Sequence, residues 1–176
     1  MSMRLSRQSG FTMIELMVTI AIIAIALALG VPFFNNATTG AKERGVIAKL
    51  QQDFAWARTA AGVRDQSVLN SSASGQPVIK IKLWPDCHWD TTIDSGGTVT
   101  DTVHSMTYTQ LSSVAPGISC PAGSGSSALA LPVTFKFSPD GTVDTSGLQT
   151  FHSSRGTDWP LIFMLSGTVL INQGLS

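Results

Sequence analysis

Charge is scarce in this chain. Only 12% of its 176 residues are Asp, Glu, Lys or Arg, and 11 basic side chains are balanced by 11 acidic ones. That balance excludes a global basic field of the kind that gathers nucleic acid, and no acidic block marks a disordered tail. Cysteine is almost absent, with Cys87 and Cys120 as the whole thiol inventory. Both sit in turn-like settings, Pro85-Asp86-Cys87-His88 and Ile118-Ser119-Cys120-Pro121. An even pair in an exported chain reads as one disulfide. Metal-ligand spacing between Cys87 and the three histidines, His88, His104 and His152, is missing. Signatures of catalysis are lacking too: there is no phosphate-loop spacing and no HExxH, and Ser166-Gly167 lacks the GxSxG context of a nucleophile elbow. The expectation is a protein that is no enzyme and holds no metal or cofactor.

What the chain does have is hydrocarbon, concentrated at one end. Hydrophobic residues make up 43% of the sequence and the mean hydropathy is +0.22, high for a wholly soluble protein. From Leu16 to Phe34 the sequence reads LMVTIAIIAIALALGVPFF, with Thr19 its one polar side chain. As a helix these roughly 19 residues extend about 28 Å, enough to span the hydrocarbon core of a bilayer. Arg4 and Arg7 precede the run, and their removal would leave two more acidic than basic side chains. A secretory signal peptide also places basic residues before an apolar stretch, but it needs a small-residue cleavage site after it, for which Ala28 and Gly30 are the candidates. Glu15 argues against that reading. A carboxylate at the mouth of an apolar run costs a few kcal/mol unless neutralised, and so points to function.

The segment Arg7-Gln8-Ser9-Gly10-Phe11-Thr12-Met13-Ile14-Glu15-Leu16 resembles the leader junction of type IV prepilins and pseudopilins. The resemblance implies that a prepilin peptidase cuts between Gly10 and Phe11 and that Phe11 is then N-methylated. Glu15 is left one helical turn into the mature chain as the subunit-assembly residue, and Pro32 falls where these proteins carry a helix-kinking proline. Physical reasoning agrees: cleavage creates an amine at the membrane boundary, and in a staggered helix bundle that amine can neutralise Glu15 of an adjacent subunit. An ion pair in low dielectric tolerates poor register badly.

Beyond Pro32 helical spacing persists, with Ile47, Leu50, Phe54, Ala57 and Ala61 recurring at intervals of three and four. One stripe should pack on a sheet, while Lys42, Lys49, Gln52 and Arg58, with Asp53 and Arg64 nearer the edges, read as a solvated face. The stretch Leu50 to Ala60, LQQDFAWARTA, is similar to the helix end of the GspH/FimT/FimU family of minor pilins. After Arg64 the period changes to two. Ile79, Ile81 and Leu83 alternate with Lys80, Lys82 and Trp84, and Leu131, Val133, Phe135 and Phe137 alternate with Pro132, Thr134 and Lys136. Ser138-Pro139-Asp140-Gly141 is a turn signal that would pair Phe135–Phe137 with Thr142–Asp144; Leu161–Leu165 and Thr168–Ile171 read as a terminal hairpin. The polar stretches 91–102 and 121–127 read as surface loops. Trp56, Trp84, Trp89 and Trp159 are expected in core or rim packing, and Lys80 with Lys82 on one strand face is a slight anion-binding signal.

The expected architecture is α+β with a type IV pilin-like fold, a long N-terminal hydrophobic helix laid by its C-terminal half on an antiparallel β head. Its parts are a cleaved leader (1–10), a transmembrane and assembly half-helix (11–34), an amphipathic half-helix (35–64) and a β-rich periplasmic head (65–176). The resemblance implies a minor pilin of a type IV pilus, taking part in initiation and assembly at or near the tip. Its partners would be other major and minor pilins through the N-terminal helix, the prepilin peptidase and the inner-membrane assembly platform. Before assembly the protein would be single-pass in the inner membrane, and afterwards part of a pilus or pseudopilus. The alternatives are a GspH-type pseudopilin of a type II secretion system and a FimT-like DNA-binding pilin for natural transformation. Against strong nucleic-acid binding, the Gly-Arg-x-Arg motif of DNA-binding relatives is replaced by Gly167-Thr168-Val169-Leu170, which removes two phosphate contacts. Lys136 and Arg155 could compensate only if the fold brought them together.

Overall fold

The helical spacing becomes a single helix, α1 (Met13–Val68). The structure, a computed structural model, describes residues 11–68, 78–95, 98–121 and 127–172. The expected leader 1–10 and most of the stretch 121–127 lie outside those residues. The chain divides into two units, 1–40 and 41–176, and α1 contributes to both. The architecture is α+β, a helix followed by antiparallel sheets.

In the second unit the expected stripe is the buried one. Ile47, Leu50, Phe54, Ala57 and Ala61 are all in the core, joined by Val46. Strands β1 (Val78–Leu83), β2 (Trp89–Ser95), β3 (Thr98–Met106) and β5 (Val133–Phe137) form one antiparallel sheet in the order β3-β2-β1-β5. The second sheet, in the order β4-β6-β7-β8, uses β4 (Ile118–Ser119), β6 (Gly147–Ser153), β7 (Asp158–Phe163) and β8 (Val169–Ile171). Alternation puts Ile79, Ile81, Leu83, Phe135 and Phe137 inward as expected. Phe54 is where the layers meet: its ring lies 5.1 Å from Phe135 and 5.6 Å from Phe137 of the first sheet, and 5.4 Å from Phe163 of the second.

One loop expectation needs correction. The stretch 91–102 is not a surface loop, since β2 and β3 occupy most of it and Thr91, Ile93 and Asp94 are buried. The β-branched Thr and Ile of Trp89–Ser95 suit a pleated, half-buried surface even where composition reads as polar. The expected pairing of Phe135–Phe137 with Thr142–Asp144 is present as an antiparallel bridge of Phe137 to Val143, with the Ser138 N–H donating to the Thr142 carbonyl at 2.8 Å and the Asp144 N–H to the Lys136 carbonyl at 3.3 Å. A short helix that the sequence reading did not assign, α2 (Tyr108–Val114), is started by a capping box. The Thr107 hydroxyl accepts from the Gln110 N–H at 3.3 Å, and the Gln110 side chain accepts from the Thr107 N–H at 3.1 Å.

The terminal hairpin is present, with Leu161, Ile162 and Phe163 opposite Ile171, Leu170 and Val169. Its turn ends at Gly167, whose φ of +70° suits glycine, and Gly141 with φ +80° ends the Ser138–Gly141 turn. A Cβ at Gly167 would stand 2.8 Å from the Gly141 carbonyl oxygen, and one at Gly141 would stand 3.0 Å from Cγ of Arg58. The aliphatic stem of Arg58 therefore lies against these turns. In the Ser138–Gly141 turn the Asp140 carboxylate accepts from the Thr142 hydroxyl at 2.7 Å and its N–H at 2.9 Å. These bonds, the hydroxyl's foremost, hold the Asp140 carboxyl below its ordinary 3.8. Because the folded value is depressed, this stabilisation is present above the unfolded value and lost as pH falls through the lower folded one. A carboxyl-detected NMR titration should place Asp140 below 3.8, and Asp140→Asn should remove this part of the acid sensitivity; a folded value above 3.8 contradicts the account.

Candidate functional site

Thr12 starts α1. Its hydroxyl accepts from the Glu15 N–H at 3.3 Å and its carbonyl from the Leu16 N–H at 3.2 Å. A threonine followed three residues later by glutamate, ahead of an apolar run, is the sequence pattern of a helix start, and a carboxylate in the first turn is favoured by the helix dipole. Glu15 thus sits in the first turn and Phe11 just ahead of it, both exposed. The Thr19 hydroxyl, the next polar group along, donates to the Leu16 carbonyl at 2.8 Å and so is satisfied within the helix.

Every large apolar side chain from Met13 to Leu29 is at least 51% exposed. A helix apolar on all sides needs a nonaqueous surrounding or other helices around it. Among the described residues no helix is long and apolar enough to cross a membrane. The expected spanning run Leu16–Phe34 is described in its side chains only as far as Leu29, so that expectation falls partly outside what the structure describes. Pro32 falls inside α1, where its backbone alone is described, and Gly10 lies outside the described residues.

Residues 5–31 match the prokaryotic N-terminal methylation motif. That match supports a type IV pilin-like protein, and a prepilin-type motif implies a membrane-anchored precursor. No curated protein and no solved structure matches the chain at a significant level.

The remaining candidate residues belong to the second unit of the chain. Cys87 and Cys120 are joined in a disulfide. Cys87 occupies a positive φ of 68° in the turn from β1 to β2, where its N–H donates to the Trp84 carbonyl at 3.0 Å. His88 is half-buried, paired with Asp86 and stacked on Trp84. Among the described residues no group of three His, Cys, Asp or Glu side chains is placed to hold a metal. Gly167 to Leu170 make the end of the β7–β8 turn and the start of β8, while Lys136 lies on β5 and Arg155 in the turn from β6 to β7, on different sheets.

Sequence reasoning missed the acidic anchors of α1. Asp53, expected near a solvated face, is buried: its Oδ2 accepts from Trp89 Nε1 at 2.7 Å and from Lys49 Nζ at 2.8 Å, with His104 Nδ1 3.7 Å from Oδ1. Glu43 is buried as well and accepts from the Ser153 hydroxyl at 2.6 Å. Gln51 donates to the Val169 carbonyl at 2.9 Å. Asp53 lies next to Phe54 of the apolar stripe, which was the available signal.

Proposed function

We propose that this chain is a minor pilin subunit of a type IV pilus, acting in pilus initiation and assembly at or near the tip. The observation that carries this reading is the Gly10-Phe11-Thr12-x-x-Glu15 junction within the matched motif, immediately ahead of an exposed helix that is apolar all round. Cleavage at Gly10-Phe11 leaves an amine on Phe11 beside the first turn of α1. In a bundle of such helices the amine of one subunit pairs with Glu15 of its neighbour, which sets the axial offset between them. The prepilin peptidase, the inner-membrane assembly platform and the other pilins are the partners this requires, with the precursor held in the inner membrane and its head in the periplasm.

Mass spectrometry of membrane-extracted protein should find an N-terminus at N-methylated Phe11. A mature start near Gly30, or intact Met1 in cells that contain prepilin peptidase, would sink the reading. Glu15→Ala should leave cleavage intact and reduce incorporation into filaments by about tenfold or more, consistent with loss of a charge pair in low dielectric. The same junction serves pseudopilins, so the type II secretion reading is separated by phenotype: deletion should remove pili and leave secretion unchanged. DNA receptor activity is separated by gel shift of a short duplex, where no salt-sensitive binding is expected.

A further inference from the structure

Of the described acids in the second unit, all but one take part in an ion pair or accept a hydrogen bond. The exception is Asp101 of β3, which is exposed and has no such partner among the described residues. β3 is an edge strand, and its register against β2 slips between Thr91 and Thr92, so that Val103 faces no residue of β2. A second slip, between Ile93 and Asp94, brackets Asp101 from the other side. Bulges of this kind bend an edge, spoil it as a template for another strand and re-aim its side chains. The edge therefore presents side chains rather than backbone: the Asp101 carboxylate and, two residues on, Val103, which is 40% exposed.

Arg58 lies toward the opposite edge of that sheet. Its stem packs on Gly141, which closes the turn after β5, and on Gly167. The stem is held while the exposed guanidinium has no ion pair or hydrogen bond among the described residues. Beside it, between α1 and the start of β8, is a cleft of about 290 Å³ in which Arg58 is the one charged lining residue. The cleft's amide and a hydroxyl are already used, since Gln51 donates to the Val169 carbonyl and Thr59 to the Ala55 carbonyl. Exposed Ala55 supplies hydrocarbon one turn before Arg58. What fits is a carboxylate with a small apolar side chain next to it. Lys136 offers no such place, because its groove is shared with Asp90, Asp94 and Asp144.

We infer that the bulged edge of β3 in one copy of this chain docks in the Arg58 cleft of a second copy, with the Asp101 carboxylate on the guanidinium and Val103 against Ala55. Plug and cleft lie toward opposite edges of the first sheet, so the contact is heterologous: each added copy leaves a plug and a cleft free, and the assembly does not close as a two-fold dimer. This contact goes beyond the pilin reading and requires neither cleavage at Gly10-Phe11 nor Glu15.

The test is sedimentation equilibrium of the full chain carrying Glu15→Ala, in density-matched detergent. Association beyond a dimer is expected, with a dissociation constant on the order of 100 μM. Arg58→Asp and Asp101→Arg should each weaken it about tenfold. An equimolar mixture of those two variants, and the double variant by itself, should regain it, because opposite charges then meet at every contact. If Arg58→Asp unseats the turns it packs on, Asp101→Arg and Val103→Asp on the exposed edge decide, and both must weaken association. No association up to ~1 mM, single variants that associate like the parent, a mixture that does not regain it, or assembly that stops at a dimer would overturn the contact. Loss in Arg58→Asp with Asp101→Arg unaffected would give the cleft to a different acid and overturn it as well. None of these outcomes bears on N-methylated Phe11, which tests the pilin reading separately.

Discussion

Replacing Phe54 by Ala is expected to destabilise the head by about 3–5 kcal/mol. The ring is buried at the meeting of three elements, with Phe135, Phe137 and Phe163 all within 5.6 Å of its centre. Removing it takes away transfer energy and the aromatic contacts together, and it leaves a void that two sheets and a helix would have to close at once. Neighbours cannot collapse easily, because Phe135 and Phe163 already stack at 4.9 Å. Denaturant unfolding of the full chain in detergent, followed by tryptophan fluorescence, measures the loss. The exposed Val63→Ala serves as the reference, with an expected change within about 0.5 kcal/mol. A loss below about 1 kcal/mol for Phe54→Ala would mean that the helix is not seated on the sheets as described.

Reducing the Cys87–Cys120 bridge is expected to cost the head about 3–4 kcal/mol in the chain-entropy account of a loop of this length. The bond closes a sequence separation of 33 residues that contains β2, β3, α2 and β4. It therefore restricts the unfolded chain over strands of both sheets. It also anchors Cys87 in a left-handed backbone conformation that a residue with a Cβ adopts at a cost of roughly 1–2 kcal/mol. Unfolding with and without reductant, alongside Cys87→Ser/Cys120→Ser, gives the magnitude. Free-thiol labelling of natively purified protein should recover no reactive cysteine, and recovery of two would refute the bridge.

Periodicity made the apolar half of this fold legible. The stripe from Ile47 to Ala61 and the alternation Ile79, Ile81, Leu83 are buried as their spacing implies, because a helix face and a strand face each leave a regular trace in the sequence. The turn Ser138–Gly141 was legible for a different reason, since proline and glycine fix backbone angles locally. Polar residues misled. The Thr-rich 91–102 stretch carried no hydrocarbon alternation, although its β-branched side chains suited strands, and Gly147–Ser153 gave β6 without being noticed. Asp53 looks like an edge charge until Trp89, distant in sequence, arrives to bind it, and Glu43 is bound by an equally distant Ser153. At the N-terminus the helix start at Thr12 and Glu15 and the apolar run to Leu29 were legible because each is a local pattern.

Those two buried carboxylates have a mechanical consequence. Sliding the C-terminal half of α1 along the sheets by one turn, about 5.4 Å, would still turn the apolar stripe toward the sheets while taking Phe54 from its place among Phe135, Phe137 and Phe163. It would also pull Glu43 from the Ser153 hydroxyl and Asp53 from the Trp89 indole together, leaving buried polar groups unpaired at both points. The helix is thereby keyed to one axial position. A pull along its axis meets no gradual slippage: the anchors on the two sheets must break in the same event, and the head yields as a whole or holds.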